Sequence, residues 1–290
     1  VLTNNGKRMT GDSLFYDRNR GIGEAFRNVE FVDTISKNML TGDYCFYNQL
    51  TGYAFATDKA VATDFSQGDS LFIHADTLQL YTFHVNTDSV YREARAYHKV
   101  RFYRTDVQGV CDSLVFSSKD SCLTLYQDPI LWNGKQQLLG EKIMIYMNDS
   151  TIEWAHIQNQ TLSVEQLDSL NYNQVSGKDM KAYFEGGEMK QVDVDGSVRL
   201  VYFPMEKDST LLGMNCSETS KLSMFLENRK LKKLAMSPKS NGTLYPMTQI
   251  PPAKMKLDNF AWFDYVRPLN KADIFNWRGK GAGHELKKST

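Results

Sequence analysis

The stretch "TGDSLFYDRNRGIGEAFRNVEFVD", residues 10–33, decides the fold, because a close relative of it follows as "LTGDYCFYNQLTGYAFATDKAVATD", residues 40–64. Each copy contains Thr-Gly-Asp, followed by a run with aromatic residues, a turn, and a second run that ends in Asp. A repeat of 20 to 50 residues is typical of architectures in which similar units stack on one another. The pair therefore predicts a stacked repeat protein.

The acid of the Gly-Asp pair serves as an anchor for finding further copies. The anchors are Asp12, Asp43, Asp76, Asp112, Glu141, Lys178 and Ser220, and they lie 29 to 42 residues apart. The second residue after each anchor is apolar: Leu14, Cys45, Leu78, Leu114, Ile143, Met180 and Leu222. So is the fourth: Tyr16, Tyr47, Leu80, Phe116, Ile145, Ala182 and Met224. The chain thus contains about seven units, which degenerate toward the C-terminus.

Alternation of apolar and polar residues within each unit predicts a strand with one buried face. Turn signals such as "DRNRG", "NQLTG", "SSKDS", "MNDS" and "EGG" follow these strands, and a second strand follows each turn. Helical periodicity is nearly absent. The one segment with a helix-like start, "SVEQ" after Leu162, is either a short helix with a capping box or strand. The predicted fold class is all-β.

Composition excludes several classes of protein. With 290 residues and 41% hydrophobic content the chain buries a large core, and 34 basic residues balance 34 acidic ones, which disfavours nucleic acid as a partner. No stretch approaches the roughly 18 apolar residues of a membrane-spanning helix. Because the sequence begins with Val, we expect a processed or trimmed form, so that localisation is not readable from the terminus and further repeats are possible before residue 1.

The four cysteines, Cys45, Cys111, Cys122 and Cys216, lack CxxC spacing and nearby histidines, so they do not predict a zinc site. Each lies in a strand-like run, where a small buried side chain is expected. A disulfide between Cys111 and Cys122 across a hairpin is an open alternative.

Catalysis is not predicted. The acids recur once per unit, which suits hydrogen bonds to backbone amides better than a singular reactive site. No HExxH motif, nucleophile elbow or glycine-rich phosphate loop is present. The five histidines are scattered along the chain: His74, His84, His98, His156 and His284. We expect no enzyme activity, no cofactor and no metal.

Two features of a stacked sheet bear on function. Its terminal strands offer unpaired backbone groups, which invite strand addition by another subunit or by a similar protein. Its apolar wall is either a closed dry core or an open trough for an apolar ligand. The sequence leaves both alternatives open.

The two opening stretches resemble the repeats of the OstA/LptA family of organic solvent tolerance and lipopolysaccharide transport proteins. The later stretch "DSLNYNQVSGKDMKAYFEGGEMKQVDVDGSVRLVYF", residues 168–203, and "NFAWFDYVRP", residues 259–268, are similar to the C-terminal part of longer OstA-like proteins. The resemblance covers most of residues 8–270.

The resemblance implies a taco-like β-jellyroll, a rod of stacked antiparallel strands whose hydrophobic groove holds the acyl chains of lipopolysaccharide. It also implies a Gram-negative periplasmic location, possible association with the outer membrane, and edge-strand contacts with itself or with other jellyroll transport proteins. The residues expected to line the groove are Leu14, Tyr16, Leu78, Leu80, Leu114, Phe116, Ile143 and Ile145. The alternative is a solid-cored structural or adhesive protein that is exported and binds protein or glycan.

The C-terminal end differs from the repeats in its prolines and clustered aromatic residues. The sequence therefore predicts a repeat domain over residues 1–250 and a cap with a polar tail over 251–290. In "SPKSNGTLYPMTQIPPAKMK", residues 237–256, four prolines are expected to interrupt the strands. Six aromatic residues follow, either as a cluster that seals the end of the stack or as a docking surface for a membrane partner: Phe260, Trp262, Phe263, Tyr265, Phe275 and Trp277.

Overall fold

The computed structural model describes residues 1–280 except Asn5, Gln67, Asp149, Ser150, Lys207, Ser209 and Arg229. Most of these residues lie in antiparallel strands, and the only helical turns in the described ranges are four short 3₁₀ turns. The prediction of an all-β fold of stacked antiparallel strands is confirmed. His284 and most of the predicted polar tail lie outside the described residues.

The chain divides into two compact units. Unit 1 comprises Val1–Gln127 and Tyr265–Gly279, and unit 2 comprises Asp128–Asp264 and, among the described residues, Lys280. The predicted division at residue 250, between repeats and cap, stays a prediction.

Among its described residues, unit 1 contains twelve strands and one complete 3₁₀ turn. They are β1 (Leu2–Asn4), β2 (Lys7–Thr10), β3 (Ser13–Asp17), β4 (Ile22–Asp33), β5 (Asn38–Asn48), β6 (Tyr53–Thr57), β7 (Val61–Asp64), β8 (Leu71–His74), β9 (Thr77–Phe83), β10 (Tyr91–Tyr103), β11 (Val107–Ser117), β12 (Cys122–Tyr126) and the turn Asp273–Phe275.

The described part of unit 2 contains eight strands. They are β13 (Ile130–Asn133), β14 (Gln136–Leu139), β15 (Lys142–Asn148), β16 (Thr151–Gln166), β17 (Tyr172–Glu185), β18 (Glu188–Tyr202), β19 (Gly213–Glu227) and β20 (Lys230–Pro246). The 3₁₀ turns Met247–Gln249 and Pro252–Lys254 follow, and the turn Asp264–Val266 begins at the last residue before the chain enters unit 1.

The long strands are bent near their middle. The register of β4 shifts between Phe26 and Val29, and the left-handed backbone of Arg27 and Asn28 occupies the shift. Three other long strands have the same kind of register shift. It lies between Tyr97 and Val100 in β10, between Gln158 and Thr161 in β16, and between Asp195 and Val198 in β18. Such bulges bend a strand, so each long strand contributes one half to each of two half-sheets.

We name the two half-sheets A and B. In unit 1, half-sheet A contains β3, β6, β9 and β12, half-sheet B contains β1, β2, β7 and β8, and β4, β5, β10 and β11 run through both. In unit 2, half-sheet A contains β15, half-sheet B contains β13 and β14, and β16 to β20 run through both.

The repeated acids lie at these bends. The amide of Asp12 donates to the carbonyl of Arg27 at 3.0 Å, and its carboxylate accepts from Asn28 Nδ2 at 3.2 Å. The carboxylates of the other four acids also bind a side chain at the bend. The pairs are Asp43 with Lys59, Asp76 with Lys99, Asp112 with His98, and Glu141 with Asn159. The expected bonds from these carboxylates to backbone amides are therefore wrong. The carboxylates bind side chains of the bend, which lie in a strand bulge for four of the acids and between β6 and β7 for Asp43.

Three local predictions are resolved by the strands. The segment after Leu162 is strand, within β16, and the four cysteines lie within strands, where Cys45, Cys111 and Cys122 are buried. The prolines do not interrupt the sheet at residue 238, since β20 continues to Pro246. Pro238 is accommodated because it falls in the register shift opposite Thr219 and Lys221, where no ladder amide is needed.

Candidate functional site

The strand register brings the predicted groove residues of unit 1 to one face of half-sheet A. Leu14, Leu78 and Leu114 belong to a corner row next to the bend, and Tyr16, Leu80 and Phe116 belong to a lip row one step farther out. The corner row is Leu14, Ala25, Cys45, Ala56, Leu78, Ala96, Leu114 and Leu125. The lip row is Tyr16, Gly23, Tyr47, Ala54, Leu80, Ala94, Phe116 and Leu123.

The two rows differ in exposure. In the corner row Leu78 and Leu114 are buried and Leu14 is half-buried. In the lip row Tyr16 is 44% exposed, Tyr47 41% and Leu80 36%, although all three are large apolar side chains on the same face as the buried row. Phe116 is half-buried. The apolar face of unit 1 therefore remains accessible at its outer margin.

The opposite wall in unit 1 is half-sheet B. Beyond the bend, Val29 and Val100 are buried, and the row that follows them on the same face is apolar and mostly half-buried: Met9, Phe31, Leu40, Ala62, Ile73, Phe102 and Gly109. Because the same strands form both half-sheets and bend between them, we infer that the two apolar faces enclose one interior.

The corresponding interior of unit 2 is more closed. Ile143 starts a fully or nearly fully buried corner row with Ile157, Met180, Val194 and Leu222. Ile145 starts a lip row in which Ala155, Ala182 and Val192 are buried and Ile145 itself is half-buried. Met224 and Leu234 continue this row and are half-buried as well, so none of its side chains is as exposed as Tyr16 or Tyr47.

Sequence reasoning missed a ladder of aromatic rings on the other face of half-sheet A in unit 1. Neighbouring rings have centroids 4.7 to 6.3 Å apart, and the ladder consists of Phe26, Tyr44, Phe55, Phe46, Tyr53, Tyr81, Phe83 and Tyr91. Such cross-strand aromatic pairs stabilise a sheet. The signal was present, since Tyr44 and Phe46 alternate with Cys45 and Tyr47 in "YCFY".

Residues 251–279 form a C-terminal strap, and in each unit the part of the strap that belongs to it contacts the second face of half-sheet B. In unit 2 the side-chain amide of Gln174 donates to the carbonyl of Met255 and accepts from the amide of Leu257, both at 2.8 Å. Gln137 donates to the carbonyl of Ala261 at 2.8 Å and accepts from the amide of Phe263 at 2.7 Å.

Polar side chains also hold the strap in unit 1. The Arg267 guanidinium donates to Gln108 Oε1 at 2.8 and 2.5 Å, and buried Arg101 donates from Nε to the carbonyl of Ile274. Within the strap, two bonds from the Arg278 guanidinium, at 2.8 and 2.5 Å, hold the pKa of the Asp273 carboxyl well below its usual range. The strap therefore has defined polar contacts along its length.

The six C-terminal aromatic residues are spread along the strap, and their observed contacts are with different strands. Phe260 and Trp262 lie 5.3 and 5.6 Å from the ring of Tyr172. Phe263 is fully buried and Tyr265 is exposed. Phe275 lies 4.7 Å from the His74 ring, and the Arg101 guanidinium lies 5.4 Å from Trp277. Docking of a membrane partner by the exposed rings stays a prediction.

The contact between His74 and the strap predicts a pH dependence. Burial lowers the pKa of His74 and the nearby Arg101 adds to this, while the Ala60 carbonyl, 2.7 Å from Nδ1, and Asp76 oppose it. The folded protein thus favours neutral His74, and stability should fall as the pH drops below about 6.5, where the unfolded chain takes up a proton more readily.

We expect the free energy of unfolding to fall less between about pH 7.5 and about pH 5.5 in His74→Gln than in the natural chain. Urea denaturation at the two pH values measures the difference, and an identical fall in both proteins would contradict it.

Comparisons with known proteins add little to these observations. The sequence matches no known protein family and no curated protein. Among solved structures, the chain is similar to LptH, described as the LptA-homologous periplasmic component of the lipopolysaccharide transport device from Pseudomonas aeruginosa, with a TM-score of 0.34 and 13% identity over 41% of this chain and 81% of that one. The likeness is too low to carry an argument.

The fold and its faces define the class of the protein: an all-β protein of bent, stacked antiparallel strands, with an apolar interior that is accessible in unit 1 and more closed in unit 2. In the described ranges, no helix is long and apolar enough to cross a membrane.

Proposed function

We propose that this chain is a non-catalytic lipid carrier that holds the acyl chains of lipopolysaccharide, or of another lipid, in the interior of unit 1. The observation that supports it is the exposed lip row, in which Tyr16, Tyr47 and Leu80 continue a buried apolar face outward without a covering layer in the described part of the chain. In a solid-cored protein we would expect these three side chains to be buried.

Acyl chains suit this interior because the lining is apolar on both walls. Each methylene that leaves water contributes roughly 0.8 kcal/mol, so several chains bind without any specific polar contact. We propose that unit 1 is the main binding unit, since every residue of the unit 2 lip row from Ile145 to Leu234 is buried or half-buried.

The proposal extends to location and partners. We propose a periplasmic bridge component that passes lipid toward the outer membrane and joins itself or similar jellyroll proteins through edge strands. In the part of the chain that the structure describes, β20 pairs with β19, and no strand pairs with its other edge. A free edge of this length supports strand addition.

A matched pair of double variants tests lipid binding. Tyr16→Asp with Leu80→Asp places charge in the lip, whereas Phe15→Asp with Gln79→Asp changes the preceding residue of each strand, which lies on the opposite face. We expect the lip variant to bind lipopolysaccharide at least about tenfold more weakly than the control, because a carboxylate disfavours apolar contact.

Native mass spectrometry of the purified proteins and displacement of a fluorescent acyl probe measure the binding, and circular dichroism checks that both variants fold. Equal binding of lipopolysaccharide by the two variants would show that the lipid does not bind in the interior. A folded natural protein that carries no lipid and takes up no added lipopolysaccharide would support the solid-cored structural alternative.

A further inference from the structure

The outer face of half-sheet A in unit 1 has a shallow depression beside the bend, which the proposed lipid binding does not use. The depression has a volume of about 650 Å³ and crosses four neighbouring strand positions, from β3 to the segment between β6 and β7. Its lining consists of Ser13, Phe26, Arg27, Asp43, Tyr44 and Asp58. Phe26 follows Ala25 and Tyr44 precedes Cys45, so both rings project from the face opposite the interior. We name this site the bend depression.

Two rings of the aromatic ladder lie in the bend depression and are held by their neighbours. The Phe26 and Tyr44 rings have centroids 5.1 Å apart, and the Phe55 ring lies 5.5 Å from Tyr44. The Tyr44 hydroxyl donates to Glu24 Oε1 at 2.8 Å. Phe26 nevertheless remains 39% exposed. The depression therefore offers accessible aromatic surface whose orientation is fixed before a ligand arrives, which lowers the entropic cost of binding.

Cross-strand stabilisation does not by itself require aromatic residues beside the bend. In unit 2 the corresponding row on the outer face of half-sheet A is polar: Lys142, Gln158, Asp179, Asp195, Lys221 and Ser237. That is the usual composition of a sheet face turned away from the core. The same row in unit 1 contains Phe26 and Tyr44. These rings therefore need a separate explanation, and contact with a ligand provides one.

The charged groups of the bend depression balance one another. The lining contains the carboxylates of Asp43 and Asp58 and the exposed guanidinium of Arg27. Lys59 adds a second cation, with its Nζ 3.3 Å from Asp43 Oδ2. A ligand with a large net charge gains little from such a site. Hydroxyl groups suit it better, because they donate to carboxylates and accept from guanidinium in strong, charge-assisted hydrogen bonds.

We propose that the bend depression binds a neutral saccharide. A pyranose ring has faces of C–H groups, which pack on aromatic rings, and an edge of hydroxyl groups, which bond to charged side chains. Phe26 and Tyr44 contact the face of the sugar. Asp43, Asp58 and Arg27 bond to its hydroxyl edge. The lining spans three strand spacings, roughly 14 Å, so a short oligosaccharide fits better than a single sugar.

Isothermal titration calorimetry of the full chain tests the proposal, with the neutral hexasaccharides cellohexaose, maltohexaose and chitohexaose as probes. We expect at least one of them to bind with a Kd below about 1 mM. Phe26→Ala should weaken this binding by about tenfold, because the aromatic contact is lost. Asp58→Asn should weaken it by about fivefold, because an amide makes weaker hydrogen bonds than a carboxylate. Asn tolerates the left-handed backbone of residue 58, so this variant should keep its fold.

Phe225→Ala is the matched control, since Phe225 is a half-buried ring on the corresponding face of unit 2. Its affinity for the saccharide should equal that of the natural protein. So should that of the lip variant, Tyr16→Asp with Leu80→Asp, because the depression lies on the other face and does not depend on lipid binding.

The proposal is overturned if none of the three hexasaccharides binds to the natural protein at this concentration, or if folded Phe26→Ala and Asp58→Asn bind as tightly as Phe225→Ala. Titration with a hexalysine peptide decides between a saccharide and the other ligand that carboxylates and aromatic rings attract, a cation. If the peptide binds and the saccharides do not, the bend depression is a docking site for basic peptides and the proposal is wrong.

Discussion

Phe263→Ala is expected to lower the free energy of unfolding by about 3–5 kcal/mol, the usual cost of removing a fully buried phenylalanine side chain. Phe263 has no exposed surface, and its own amide donates to buried Gln137, so the neighbouring backbone cannot shift far to fill the cavity. A strap that merely lay on the surface would lose little on this change.

Urea denaturation followed by tryptophan fluorescence measures the effect, with Tyr265→Ala as control. Tyr265 lies two residues along the strap and is 49% exposed, so its loss should change stability by well under half as much. A cost below about 1 kcal/mol for Phe263→Ala would show that the strap does not belong to the core of unit 2.

The part of the fold that the sequence predicts is the part that local alternation encodes. Leu78, Leu114 and Ile143 are buried, as residues two after an anchor should be, because a strand places every second side chain on one face. The lip residues Tyr16 and Leu80 share that face but not its burial. Alternation gives the face of a residue, whereas its distance from the bend decides its exposure.

The bends themselves were not predicted. Arg27 and Asn28 look like two polar residues in a continuous strand, yet both take left-handed backbone conformations and divide β4 between two half-sheets. Few residues adopt that conformation, and Asn is among those that do so most readily. The recurring acid also marks the position of the bend in the sequence, since Asp12 binds Asn28 there.

The strap contacts lie outside what a local pattern can show. Gln137 binds Phe263 at a separation of 126 residues, and Gln174 binds Leu257 at a separation of 83. A glutamine in a strand is ordinarily taken as solvent-facing, because only a distant segment can satisfy it when buried. The same limit applies to the aromatic residues of the strap, for which the sequence left a local cluster and a docking surface as alternatives.

Gly140→Val and Gly177→Val should each destabilise unit 2 by an amount at the upper end of about 1–3 kcal/mol, because both add atoms to a packed bend. A Cβ at residue 140 would lie 2.5 Å from Ile157 Cγ2, and one at residue 177 would lie 2.5 Å from Val194 Cγ1. Both neighbours are branched and buried, so neither can move aside cheaply.

Gly68→Val is the control, since a Cβ there would meet nothing within 4 Å. Its effect on the free energy of unfolding, measured by urea denaturation, should stay within about 0.5 kcal/mol. The residue before the anchor is small in the other units as well, with Ala75 and Cys111 both buried. If the two bend variants proved as stable as the control, the recurrence of glycine before the anchor would not be due to lack of space at the bend. If they are destabilised, the glycine is needed because the bend has no room for a side chain there.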